Sequence, residues 1–139
     1  MLDAEGFVDG LRAGDAFVTS GPFLDLTVQG RGLGALVAPD ADGTIEVAVH
    51  VQAPAWVPVD RVHVVVDGGD VEVLPVELLP ETVVTRVRVE RDAFVLVVAR
   101  ADAPLGDAAG NPRKPMPSMA FTNPVFVDAD GDGVWSPPP

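Results

Sequence analysis

From Ile45 to Val51 the chain alternates without a break: Ile45, Val47, Val49 and Val51 are separated by Glu46, Ala48 and His50, and Gln52 continues the polar phase. A period of two puts the four aliphatic side chains on one side of an extended ribbon and the polar ones on the other. The same pattern returns at Leu24, Leu26 and Val28. It returns again at Val83, Thr85, Val87 and Val89, interleaved with Val84, Arg86, Arg88 and Glu90. Valine dominates these runs, and its branched Cβ suits a pleated surface better than a helix. The 14 glycines and 14 prolines fall mostly between the runs, where turns need them. The chain is therefore expected to be all-β.

Eight strands are predicted: Ala16–Thr19, Phe23–Val28, Ile45–Val51, Val62–Val66, Val71–Val76, Val83–Val89, Phe94–Ala99 and Ala120–Val127. Asp67-Gly68-Gly69-Asp70 is a hairpin signal between two of them. The Gly-rich stretch 29–38, the Pro/Gly/Asp-rich stretch 101–118, and the acidic loop and Pro-rich tail 128–139 read as loops. One short helix is predicted over 3–13, where Ala4, Phe7, Val8 and Leu11 form an apolar stripe. Asp3 is suited to cap its start and Gly14 to end it. The expected architecture is a single domain over 1–139. It is a two-layer antiparallel β-sandwich, Ig-like, of about eight short strands with one N-terminal helix. At 139 residues a chain buries roughly two-thirds of its unfolded surface, enough for its own core.

Nine basic residues stand against 21 acidic ones, a net charge of -12. That surface repels phosphate backbones and anionic lipid, so neither nucleic acid nor membrane is an expected partner. No apolar run approaches the roughly 18 residues of a membrane-spanning helix. There is no cysteine, which removes disulfides, thiolate metal sites and thiol nucleophiles and leaves the compartment open.

Few residues here carry chemistry. The two histidines, His50 and His63, lie on the polar phases of their strands and are expected to face solvent. No G-x-S-x-G nucleophile motif or phosphate-binding P-loop occurs, and Gly30 to Gly34 lacks a strand-loop-helix context. The sharpest motif is Asp128-Ala129-Asp130-Gly131-Asp132-Gly133, the D-x-D-x-D-G opening of a calcium loop. Carboxylates at alternate positions of a tight turn converge on one point. On this pattern Asp128, Asp130 and Asp132 ligate through side chains and Val134 through its carbonyl. The bidentate Glu expected at the twelfth position is replaced by Pro139, so another carboxylate is needed. Asp15, Asp102 and Asp107 are the candidates. The other reading is a solvated Asp/Gly turn without metal. Trp56 and Trp135 read either as ligand-stacking residues or as rings buried under loops, the second being the commoner use.

Four segments, in order, resemble bacterial PHP-type (polymerase-and-histidinol-phosphatase-like) metallohydrolases of the CehA/McbA kind. They are Leu11 to Phe23, with its Arg12-Ala13-Gly14 and Thr19-Ser20-Gly21-Pro22-Phe23; Ala53-Pro54-Ala55-Trp56 with Val59-Asp60-Arg61-Val62; Arg91-Asp92-Ala93-Phe94; and Phe121-Thr122-Asn123-Pro124 through Gly133. In that family these segments follow the catalytic barrel, whose His, Asp and Glu metal ligands have no counterpart here. The resemblance therefore implies a non-catalytic C-terminal accessory domain of a metal-dependent hydrolase acting on phosphoesters or other esters. Its expected partner is the PHP barrel of the same polypeptide, with oligomerisation a further role. It also implies a bacterial parent several hundred residues longer, whose compartment is left unknown, with a secreted or periplasmic location as one option. Gly21-Pro22 and Thr122-Asn123-Pro124 are then expected at the junction between the domains, and the helix packs either on the barrel or back onto the sandwich. The alternative function is a calcium-braced carbohydrate- or protein-binding β-sandwich module of a secreted bacterial protein. A stand-alone hydrolase built on the Asp cluster ranks last, because no general base or nucleophile accompanies it.

Overall fold

A computed structural model describes residues 3–105 and 115–137. Among them are ten strands and one helix, arranged as two sheets packed face to face. The smaller sheet has the order β2 (Phe23–Val28), β4 (Thr44–Gln52), β7 (Glu81–Arg88), antiparallel throughout. The larger sheet is built around β8 (Ala93–Pro104). One edge of β8 pairs with β5 (Arg61–Val66), which pairs in turn with β6 (Gly69–Pro75). Its other edge is shared. β9 (Pro117–Thr122) takes one end and carries β1 (Phe17–Thr19), while β10 (Val125–Val127) takes the other and carries β3 (Leu36–Val37). The architecture is the expected β-sandwich.

Three of the predicted segments differ. The run 120–127 is two strands, not one, because Pro124 has no N–H to continue a ladder and the chain passes from β9 to β10 across Asn123-Pro124. The stretch 29–38 is not all loop. β3 lies within it and pairs parallel with β10 through Leu36↔Phe126 and Val37↔Val127, a departure from a purely antiparallel sandwich. The expected loop over 101–118 is also shorter, since Ala101–Pro104 extends β8 and Pro117 opens β9. Residues 106–114, including Asp107, lie outside the described residues.

The core is aliphatic. Leu24, Leu26, Val28, Ile45, Val47, Val49 and Val51 of the small sheet meet Val62, Val64, Val95, Val97, Val125 and Val127 of the large one. Each fully buried Val or Leu side chain contributes about 1.5–3 kcal/mol over leaving it in water. The two outer faces differ. On the small sheet, Asp25, Glu46, His50, Thr82 and Arg86 make the usual solvated surface. On the large sheet the outward positions are mainly apolar, including Phe94, Leu96, Val98 and Phe121.

Helix α1 (Ala4–Arg12) begins as expected, with the Glu5 N–H donating to Asp3 Oδ1 at 3.1 Å. It ends in a Schellman motif: Gly14 N–H donates to the Leu11 carbonyl, Asp15 N–H to the Gly10 carbonyl, and Gly14 has φ 79°. No residue of α1 is buried, and Phe7 remains 62% exposed. Of the two placements expected for the apolar stripe, folding back onto the sandwich does not occur.

The chain between α1 and β1 is fastened to the β9–β10 crossing. Asn123 donates its Nδ2–H to the Gly14 carbonyl at 3.1 Å and its backbone N–H to the Ala16 carbonyl at 3.0 Å. Gly34 N–H donates to the Pro124 carbonyl at 2.9 Å, and Ser20 N–H to the Met119 carbonyl at 2.9 Å.

Candidate functional site

Register decides where acidic residues meet. Val127 of β10 stands opposite Ala93 of β8, so the next residue outward on each strand, Asp128 and Asp92, come together beyond the end of the ladder. Asp130 curls back over them. One carboxylate oxygen from each of Asp92, Asp128 and Asp130 lies within 4.8 Å of the others. Asp92 is 8% exposed and Asp128 7%, while Asp130 is open to solvent.

Backbone amides shape the loop around these carboxylates. Asp128 Oδ1 accepts from Gly131 N–H at 2.7 Å, and its Oδ2 accepts from Gly133 N–H at 2.8 Å. Asp92 Oδ1 accepts from Ala129 N–H at 2.9 Å, and its Oδ2 accepts from Ser136 N–H at 2.8 Å. The Ser136 bond, then the Ala129 bond, hold the Asp92 carboxyl below its ordinary pKa of 3.8, against the opposing effect of burial. A bond from Asp130 N–H adds to the lowering. A carboxylate oxygen has a second lone pair, so these bonds leave room for a cation. Among the described residues no Lys or Arg pairs with any of the three. Two nearly buried like charges held this close repel unless amide dipoles or a cation offset them. The donor set is all oxygen, which suits a hard divalent ion.

The structure regroups the ligands expected from sequence. Asp128 and Asp130 converge, but the third carboxylate is Asp92. Asp132 is outside the group: it is exposed, and its Oδ1 accepts from Val134 N–H at 2.8 Å in a local turn. The Val134 side chain is 61% exposed, and the three carboxylates whose oxygens lie within 4.8 Å of one another do not include Asp132. Of the proposed completing carboxylates, Asp102 is committed elsewhere, accepting from Arg61 Nη2 at 2.6 Å, and Asp15 is exposed and outside the group.

The histidines stand on opposite outer faces of the sandwich, so they cannot form one site. His50 Nδ1 lies 2.8 Å from Thr82 Oγ1. His63 Nδ1 lies 2.9 Å from Asp70 Oδ2, with its side chain only 14% exposed, so it is not the solvent-facing residue expected from its strand phase. Trp135 stacks on Phe126 with ring centroids 5.1 Å apart, closing the acidic loop against the large sheet. Trp56 is 55% exposed rather than buried under a loop, and the two indoles share no face. Thr19 and Ser20 bond to backbone carbonyls and adjoin no base.

No protein-family model matches the chain, and no curated protein matches it. Among solved structures, the CARDB domain of a Pyrococcus furiosus protein, crystallised in complex with di-metal ions, is similar over 81% of this chain and 98% of that one. The identity is 17% and the TM-score 0.41.

Proposed function

We propose that the chain is a non-catalytic accessory β-sandwich that follows the PHP barrel of a metal-dependent, phosphoesterase-like hydrolase in one polypeptide, with its C-terminal loop braced by a divalent cation. The observation that carries this is the fastening of the α1–β1 connection to the β9–β10 crossing. The residues involved, Gly14, Ala16, Ser20, Asn123 and Pro124, belong to two of the four segments that carry the family resemblance. They set the direction in which α1 leaves the sandwich, and a rigid joint of this kind has a use when a second domain stands before it. The apolar stripe of α1, unburied here, suits the same arrangement.

The test is to express the natural reading frame and the 139-residue chain side by side and follow p-nitrophenyl phosphate and bis-p-nitrophenyl phosphate with added divalent metal. The long polypeptide is expected to turn over and the short chain to stay inert. A reading frame without a barrel, or metal-dependent turnover by the short chain, refutes the proposal.

Calcium is the first candidate for the loop, since seven or eight oxygens at flexible geometry suit a site of carboxylates, carbonyls and water. Calorimetric titration is expected to give calcium heat in the wild type and little in Asp128→Asn or Asp92→Asn, with Asp132→Asn unaffected. Absence of heat with both calcium and magnesium in the wild type removes the cation and leaves a turn held by amides alone.

A further inference from the structure

One row of outward side chains crosses five strands of the large sheet without interruption: Val73 on β6, His63 on β5, Val98 on β8, Phe121 on β9 and Val18 on β1. Four of the five are apolar, and Val18 at the end of the row is 57% exposed. The one histidine is tied to Asp70 and presents little polar surface. An ordinary sandwich puts polar groups on an outer face, as the small sheet does here. A continuous apolar outer face marks an interaction surface. Trp135 covers Phe126 at one end of the sheet, and the row lies away from that cover.

We infer that this face is the seat of the domain that precedes α1 in the same polypeptide, an inference resting on the accessory-domain reading above. Two observations select that occupant. The row ends on β1, the strand joined through the fastened Gly14–Ala16 connection to α1, so any domain before Asp3 is tethered at the edge of this face. Tethering makes its docking intramolecular, with an effective concentration that a free partner does not reach. A second copy of this chain is disfavoured by charge. A two-fold pair sets the same patch against itself. Two such molecules, each carrying a net charge of -12, repel one another.

Hydroxyl-radical footprinting of the long natural polypeptide against the 139-residue chain tests this. Oxidation of Phe121 and Met119 is expected to fall about five-fold or more in the long polypeptide, because the centre of a domain interface excludes water as an interior does. Phe121→Lys in the long polypeptide is expected to restore oxidation at Met119. Val84→Lys, on the outer face of the small sheet, is expected to leave shielding in place. Equal oxidation of Phe121 in both proteins, with Phe7 and Leu11 alone shielded, overturns this face and leaves the accessory-domain reading standing. A reading frame with no preceding domain defeats that reading itself. Sedimentation of the 139-residue chain as a dimer that Phe121→Lys dissolves assigns the face to a second copy and also overturns the inference.

Discussion

A Cβ built on Gly34 stands 1.8 Å from the Ala13 carbonyl oxygen, and Gly34 has φ 75°. Neither the contact nor the dihedral admits a side chain, and the obstacle is backbone that cannot rotate away. Gly34→Ala is therefore expected to cost at least about 3 kcal/mol, read as a lowered urea midpoint, by pushing residue 34 off the Ala13 carbonyl and straining its N–H bond to the Pro124 carbonyl. Gly30→Ala, with open space around its Cβ, is the milder comparison. Nothing in the sequence marks Gly34 out from its neighbours Gly30 and Gly32, because its constraint comes from a carbonyl on a different segment. Asp92 was equally illegible as a site residue. It reads as a strand-opening Asp until the β8–β10 register sets it beside Asp128. Its folded pKa lies below 3.8, so its contribution to stability is complete above that value and is lost as pH falls through the lower, folded one. Stability measured between pH 5 and roughly pH 2 is expected to decline less steeply in Asp92→Asn than in wild type, the window following from the ordinary carboxylate pKa. Matching slopes would show that Asp92 does not carry this linkage.

At the scale of elements, alternation was a reliable guide where a strand is covered on one face only. β2, β4 and β7 were all legible to within a few residues. It failed at β3, a two-residue strand with no period to read, and at the β9–β10 crossing, where Pro124 interrupts an otherwise continuous apolar run. The extension of β8 past Ala99 was hidden too, because Arg100 and Pro104 pair by position in the sheet, across an irregular register, rather than by composition. The capping of α1 was readable from Asp3 and Gly14, but its environment was not. A nine-residue helix with Gly6 and Gly10 inside it is marginal without a surface to lie on. Amides of residues 4–12 in the 139-residue chain are accordingly expected to exchange with hardly any protection, while those of β4 and β8 are slowed by orders of magnitude. Strong protection of α1 in the short chain would mean that it already has a partner, such as a second copy.

For the molecule as a whole, the fold class followed from valine periodicity and turn residues, and the two-sheet core confirms it. The D-x-D-x-D-G motif drew attention to the acidic loop, but local spacing could not anticipate Asp92, which another strand brings within 4.8 Å of Asp128 and Asp130. The asymmetry of the two outer faces was also out of reach. Phe94–Ala99 read as a strand covered on both sides, and within this chain only one side is covered by the core. Because the packed interior is wholly aliphatic, both indoles lie outside it, and only Trp135 adjoins the acidic loop. The ultraviolet emission of this protein thus reports on its periphery. Trp135 is expected to change colour or intensity when an ion settles among the carboxylates, with Trp56 as a constant background, and to be nearly blind to substitutions that loosen the valine interior.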